Sequence, residues 1–401
     1  MYDKLLTSIL RRNRSMFTND IHNNNQQLKA SINNARILII GAAGSIGGAF
    51  VKQVLKHSPA SLHLIDLSEN NLVELVRDLR SSKVRIPKEF RTFAIALGSL
   101  EFNTFIKSEF NYDHVVNFAA MKHVRSERDP YTLMRLFDTN VFCVKGLLEE
   151  LSKHKIKKFF SVSSDKAVAP VSIMGATKAF MERMMLFYSE KVTCSTSRFA
   201  NVAFSDGSLL YGFQQRLSKK QPLSFPHDVR RYFISHEEAG QLCLLSCFCG
   251  NNRDIYFPKL DRNLDLFSFV EITCIFLKNK GYQPKIFPSE ELAKEAAMAI
   301  DDSSKEWPCY FSESDTTGEK SCEEFYTDND SVSFDKYQNI GIIHQPTLNK
   351  TQIAELSDSL ESFYQIKRSR SWSKEEILNA IKIAVPEIQH EEKHKNLDQK
   401  M

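Results

Sequence analysis

No apolar run in these 401 residues approaches the roughly 20 that a membrane-spanning helix needs. The stretch Leu5-Leu6-Thr7-Ser8-Ile9-Leu10, followed by Arg11-Arg12, is too short and wrongly ordered for a signal peptide. Charge of one sign is lacking too. The balance of 53 Lys+Arg against 49 Asp+Glu gives no ground for nucleic acid or an anionic membrane as partner. The eight cysteines show neither paired metal-ligand spacing nor a disulfide framework. Cys243, Cys247 and Cys249 fall in an apolar helical run, where small buried thiols are common. No metal is expected, and a reducing cytoplasm is the natural compartment. Internal repeats and low-complexity tracts are absent. The length holds a large core in two or three lobes.

The chemistry-bearing pattern starts at Arg36-Ile37-Leu38-Ile39-Ile40, an apolar strand, followed by Gly41-Ala42-Ala43-Gly44-Ser45-Ile46-Gly47 and a helix from Gly48 to Lys56. Glycines spaced G-x-x-G-x-x-G between strand and helix form a dinucleotide fingerprint. Gly41 allows the tight turn, Gly44 lets backbone approach a pyrophosphate, and Gly47 lets the helix pack close. Ala43, Ser45 and Ile46 complete the cofactor turn, whose free N–H groups face the phosphates. A second strand, Leu62 to Ile65, ends in Asp66, 25 residues after Gly41. A carboxylate there bonds a ribose diol and repels a 2′-phosphate, and no Arg follows it, so NAD is expected over NADP. Arg91 to Ala96 is a third strand, with Gly98-Ser99 after it. His114 to Ala120 is a fourth, whose small end, Ala119-Ala120, lets the backbone approach the cofactor.

The chain is organised around residues 163–178. The apolar run Phe159-Phe160-Ser161-Val162 reads as a buried parallel strand. Ser163-Ser164-Asp165-Lys166 follow, and Met174-Gly175-Ala176-Thr177-Lys178 opens a helix. An acid, a base and hydroxyls therefore lie just past a strand's carboxyl end, where open α/β sheets bind ligands. Met174 and Lys178, four apart at a helix start, share one face.

These residues resemble the active site of the extended short-chain dehydrogenase/reductases, where the pair is Tyr and Lys. The combination S-D-K with M-G-A-T-K resembles the UDP-N-acetylglucosamine 4,6-dehydratases of that family. The resemblance spans about Ala35 to Tyr326 and implies an α/β, Rossmann-type doubly wound parallel sheet with a smaller C-terminal substrate-binding lobe. Met121-Lys122-His123-Val124 is close to the family's A-x-K-H-V, which implies that Lys122 or His123 contacts the substrate or the nicotinamide ribose. Asp129-Pro130 starts a helix to about Leu151. Within it Asn140 matches the T-N-V pattern as a structural hydrogen-bonding group. Ser197 to Val202 is read as a sixth strand, and Asn201 carries a substrate phosphate contact by the same resemblance. Ser208 and, on the helix Phe213 to Leu217, Arg216 are further substrate candidates. Arg230-Arg231-Tyr232-Phe233 resembles an R-[FY]-F segment in which Arg231 contacts phosphate. Thr317-Gly318-Glu319-Lys320 with Glu323-Glu324 resembles the segment closing the substrate lobe, although Asp315-Thr316 stand where the family has Arg-Pro. Glu237 to Cys249 and Leu264 to Asn279 read as helices, and Ser373 with Glu376 forms a capping box opening a helix to Ala384.

The division is a helical N-terminal extension (1–34), an NAD-binding Rossmann domain (35–205), a substrate-binding lobe (206–345) with chain returning to that domain, and a C-terminal helical extension and tail (346–401). The tail from His390 onward reads as charged and extended. The helices from Asp129 and from Ala176 carry more apolar surface than one sheet face needs, and relatives pair through them, so a homo-oligomer is expected.

Met174 cannot carry a proton, so the proton work falls to Asp165 and Lys166. The resemblance implies a hydro-lyase reaction with NAD as cofactor and UDP-N-acetylglucosamine as substrate, C5 configuration retained. Lys166 takes the C5 proton, which needs an amine well below the free value of roughly 10.4. Asp165 protonates the departing C6 hydroxyl, and Lys178 orients the ribose. Ser164, a water or Lys178 relays the C4 hydroxyl proton. The alternatives are C5 inversion, 4-epimerisation, which needs no Asp-Lys pair, and an inactive NAD-binding regulator.

Overall fold

The computed structural model describes residues 2–314, 318 and 322–392. Its centre is a nine-stranded sheet. Glu89–Ala94, Ser61–Asp66, Arg36–Ile40, His114–Asn117, Lys158–Val162, Cys194–Ser197 and Asp254–Pro258 run parallel, in that spatial order. Ile340–His344 and Val332–Ser333 then extend it antiparallel. Arg36–Ile40 and Lys158–Val162 are nearly all buried, as expected of parallel strands covered on both faces. The chain starts in the middle at Arg36–Ile40, winds outward to Glu89–Ala94, then crosses back to His114–Asn117. The strand order reverses there, so a crevice opens at the carboxyl ends of the strands. The α/β, doubly wound class read from the sequence is the one observed.

The smaller lobe holds two three-stranded sheets. Leu266–Ser268, Arg230–Ile234 and Asn201–Val202 form one; Gln283–Phe287, Glu306–Ser312 and Leu223–Pro226 form the other. Several sequence boundaries move. The cofactor helix is Ser45–Val54, starting inside the glycine turn. The sixth strand is Cys194–Ser197, not Ser197 to Val202. The chain leaves the sheet at Arg198, whose buried guanidinium pairs with Glu182 at 2.6 Å, and Asn201–Val202 joins the small sheet instead. Leu264 to Asn279 is not one helix, because Leu266–Ser268 pairs with Arg230–Ile234 before the helix Phe269–Asn279 begins. The helix from Pro130 is broken by a π-helical turn, Asp138–Phe142. Asn140 sits in that turn, its amide accepting from Met121 N at 2.9 Å and donating to Met121 O and Thr177 Oγ1.

Both extensions dock on this frame. Arg12 grips the buried Glu238 carboxylate through two bonds of 2.7 and 2.8 Å, and Asp20 accepts from the backbone N–H of Gln338 and Asn339. In the C-terminal segment read as a helical extension, Lys350–Ser369, whose bounds the sequence did not give, and Lys374–Ala384, opened by the Ser373–Glu376 box, form a hairpin. Phe363 is fully buried and stacks on Phe137 with 3.5 Å between ring centroids. Lys367 binds Asp138 and Arg183 binds Glu387. The C-terminal helices thus cover part of the apolar surface of Pro130–Phe137 and Ile173–Tyr188, while Tyr131 and Phe187 stay exposed. Of the tail read as extended, residues 393–401 lie outside the described residues; the His390 side chain is buried, and Gln389 N just before it donates to Pro170 O at 2.8 Å. Phe363→Ala in the full chain should cost about 3–5 kcal/mol through transfer and cavity terms, a loss read from chemical denaturation.

Candidate functional site

Lys158–Val162 delivers the chain to Ser163 at the carboxyl edge of the sheet, and a single 3-10 turn, Asp165–Ala167, follows. The Ser164 hydroxyl accepts from Lys166 N at 3.2 Å and donates to Asp165 Oδ1 at 2.8 Å. Lys166 Nζ lies 3.4 Å from both Asp165 oxygens. The two partners differ in access: the Asp165 side chain is 6% exposed and that of Lys166 is 32% exposed. A buried acid in direct contact with a reachable amine, and bonded on its other side by a hydroxyl, is suited to moving protons.

Ser172 caps the next helix, Ile173–Tyr188, accepting from Gly175 N at 3.0 Å. Gly175 is required there, because a Cβ would lie 2.2 Å from the Lys166 carbonyl oxygen. That close approach locks the Asp165–Lys166 turn to the helix carrying Met174 and Lys178. Met174 is 2% exposed, and its backbone N–H donates to Glu127 Oε1 at 2.8 Å. Glu127 is itself buried, and desolvation pushes its carboxyl up to about 7 against the pull of the helix N–H groups. Lys178 Nζ donates to Val162 O at 2.9 Å. Burial brings its ammonium down to about 8, opposed by Glu182 one turn on. Glu182 also binds Ser163 and Arg198, so the floor is one closed network.

Across the crevice, Lys122 Nζ donates to Asp206 O at 2.7 Å, and Ser45 Oγ donates to Asp206 Oδ2 at 2.8 Å. Residue 206 therefore ties the cofactor turn to the loop after His114–Asn117. Desolvation lowers the pKa of both Lys122 and His123. Ser208 caps the helix Leu209–Ser218, which carries Arg216, whose Nε is buried without a partner among the described residues. Asn201 pairs in register with Phe233, which brings its amide beside Arg231. Both converge on Glu323: Asn201 Nδ2 donates to Oε1, and Arg231 Nε stands 3.5 Å from the same oxygen.

A cleft of about 1160 Å³ is lined by Ile46, Ala120, Lys122, His123, Ser164, Asp165, Lys166, Met174, Lys178, Asn201, Ser208, Arg216 and Arg231, with Glu323. Gly41, Ala43, Gly44, Ser45 and Gly47 form the adjoining turn rather than the walls, with Asp66 and Ala119, at or just past two strand ends, against it. Asp66 Oδ2 accepts from Ala43 N and Oδ1 from Ser68 N, both at 2.9 Å, with lone pairs left for a diol. At Gly47 a Cβ would lie 2.1 Å from the Gly41 carbonyl, so only glycine lets the helix start this close. The turn fits a dinucleotide, and the carboxylate favours one without a 2′-phosphate. Glu127 and Glu182 had no assigned role in the sequence, and Glu323 was read only as part of the segment closing the substrate lobe. Glu182 was detectable as the i+4 neighbour of Lys178; the others act across long separations that no local pattern signals. Thr317, Glu319 and Lys320 lie outside the described residues.

The chain is 32% identical over 258 residues, 62% of its length and 74% of the relative, to an uncharacterized membrane protein of Methanocaldococcus jannaschii. No helix among the described residues is long and apolar enough to cross a membrane. It is 30% identical over 226 residues to the capsular polysaccharide biosynthesis protein CapD of Staphylococcus aureus, 54% of this chain but 36% of that protein. A UDP-glucose 4-epimerase of Rickettsia canadensis is 27% identical over 240 residues, 56% of this chain and 65% of the epimerase. Among solved structures, Pen from Bacillus thuringiensis superposes with TM-score 0.61 at 21% identity, covering 79% of this chain and 90% of that one. The dTDP-glucose 4,6-dehydratase DesIV of Streptomyces venezuelae, solved with NAD bound, gives 0.52 at 21% identity, covering 61% and 81%. Residues 37–345 match the family described as polysaccharide biosynthesis protein. By that match the chain belongs to this family, on the fold shared by nucleotide-sugar dehydratases and epimerases.

Proposed function

We propose that the protein catalyses 4,6-dehydration of UDP-N-acetylglucosamine with NAD as a returned cofactor, giving UDP-2-acetamido-2,6-dideoxy-α-D-xylo-hexos-4-ulose. The observation that carries this is the Asp165–Lys166 pair at the strand end, facing a cleft that Met174 also lines; by the resemblance, the family has a proton-carrying Tyr at that position. The turn Gly41–Gly47 with Asp66 would hold NAD, which would supply a hydride acceptor for sugar C4 and the same hydride for C6. The chain's own residues move the protons. The ketone at C4 acidifies the C5 hydrogen, which neutral Lys166 removes. Protonated Asp165 gives its proton to the C6 hydroxyl, which leaves as water, and Lys166 returns a proton to C5 on the same face. Ser164 bridges to Asp165 and is the nearest hydroxyl relay for the C4 proton. Lys178 holds the ribose, and Arg231, Arg216 and Asn201 face the diphosphate, for which a forked guanidinium is suited. Lys122, His123 and Ser208 border the sugar.

The 27% identity to a 4-epimerase favours a second reading, stereochemical change at C4 alone. Epimerisation leaves C5 and C6 untouched and gives the Asp165–Lys166 pair no task. Proton NMR of the NAD-loaded chain with UDP-N-acetylglucosamine separates them. Dehydration produces a C6 methyl doublet; epimerisation leaves the C6 methylene and shifts only the ring protons.

A further inference from the structure

Glu323 stands in the wall of the cleft with no part in the proton chain. It comes from the segment returning after the substrate lobe, about 120 residues beyond Asn201. Its carboxylate is almost fully enclosed, yet it gathers three donors: Asn201 Nδ2 on Oε1, Arg231 Nε at 3.5 Å from Oε1, and Tyr232 N on Oε2 at 3.2 Å. We infer that Glu323 is a positioning residue that fixes the Asn201 amide and the Arg231 guanidinium against the nucleotide diphosphate. The inference rests on the proposed UDP-sugar reading.

The geometry leaves few other duties for this carboxylate. Both side chains it holds line the cleft, and they come from adjacent strands of one small sheet. A buried carboxylate carries a desolvation cost that its partners must offset, and two of those partners, Asn201 and Arg231, are side chains that line the cleft. The charged and titratable groups around it are Arg231, Lys166, Asp165, Tyr232 and Cys322. Desolvation and the charge of Asp165 raise its pKa to about 7, against Arg231 and Lys166. Protonation below that value removes an acceptor and the ion pair with Arg231, so anchoring of the diphosphate weakens as pH falls through about 7.

The test is calorimetry of the full-length, NAD-loaded chain with UDP. Glu323→Gln keeps the volume and removes the charge. It should lower UDP affinity about tenfold or more, the loss of one or two charge-assisted bonds, while NAD content and melting temperature stay as in wild type. The wild-type affinity should fall between about pH 8 and about pH 6 more steeply than that of Glu323→Gln. The UDP phosphate titrates in both proteins, so the difference between profiles belongs to Glu323. On an Asn201→Ala background the same change should cost much less, because it acts through that amide. Wild-type UDP affinity and pH profile in Glu323→Gln would overturn the inference. A wild-type chain that meets these UDP expectations but yields no C6 methyl from UDP-N-acetylglucosamine would overturn the dehydratase reading and leave the inference standing.

Discussion

Asp165→Asn and Lys166→Met should each lower turnover of UDP-N-acetylglucosamine by about 100-fold or more, the scale of general acid–base catalysis. Both should purify with NAD, since neither side chain touches the glycine turn. The defects differ in kind. Without the Lys166 amine the C4 ketone forms but C5 does not enolise, so the C5 proton stops exchanging with solvent deuterium. Without a titratable proton at 165, exchange at C5 survives and the C6 hydroxyl fails to leave. Met174→Leu should cost little, because that position supplies apolar volume and a backbone N–H for Glu127. An Asp165→Asn variant with normal turnover, or a Met174→Leu variant as slow as Lys166→Met, would refute the assignment. Deuterium incorporation followed by NMR reads all three.

The second large effect is expected at Gly44. A Cβ there meets nothing nearer than the Gly41 carbonyl at 3.6 Å, an ordinary contact, and the backbone has φ −74°. Gly44→Val should therefore fold. Its methyl groups would enter the space beside the N-terminus of Ser45–Val54 that a pyrophosphate must fill. NAD affinity should drop by more than about 100-fold, or about 2.7 kcal/mol. Gly47→Ala should fail differently, by losing the fold, because its Cβ collides with backbone at 2.1 Å. Normal NAD binding by Gly44→Val in calorimetry would show that the cofactor does not lie on this turn.

The parts of the site legible in the sequence are those whose geometry is local. Three glycines within seven residues can do one thing between a strand and a helix, and Met174 and Lys178 share a face by helical period alone. The Asp165–Lys166 turn is placed by the strand before it. The partners of Glu127 and of Glu323 are not legible, although Glu323 itself falls in a segment read from the sequence, since they lie 47 to 122 residues away. The end of Cys194–Ser197 is hidden for a related reason. Arg198-Phe199-Ala200 has strand composition, but a buried ion pair with Glu182 turns the chain out of the sheet. At Leu266–Ser268 a three-residue pairing overrides an apolar run that reads equally well as helix. The hairpin Lys350–Ala384 hides behind charged side chains, since only a narrow stripe through Leu356, Phe363, Ile377 and Ile381 is buried.

That hairpin also sets an order of events during synthesis. Phe137, Phe180 and Met181 belong to segments made early, whereas Phe363 and Ile381, packed in the same core, follow roughly 200 residues later. At about 5–20 residues per second, the interval is on the order of ten seconds or more. For that time the outer face of helices Pro130–Leu151 and Ile173–Tyr188 is an uncovered apolar surface on a nascent chain, open to chaperones and to other nascent copies. Closure of the core, and with it docking of Gln389 against the Pro170 carbonyl beyond the Asp165–Ala167 turn, waits for the ribosome to release the C-terminal helices.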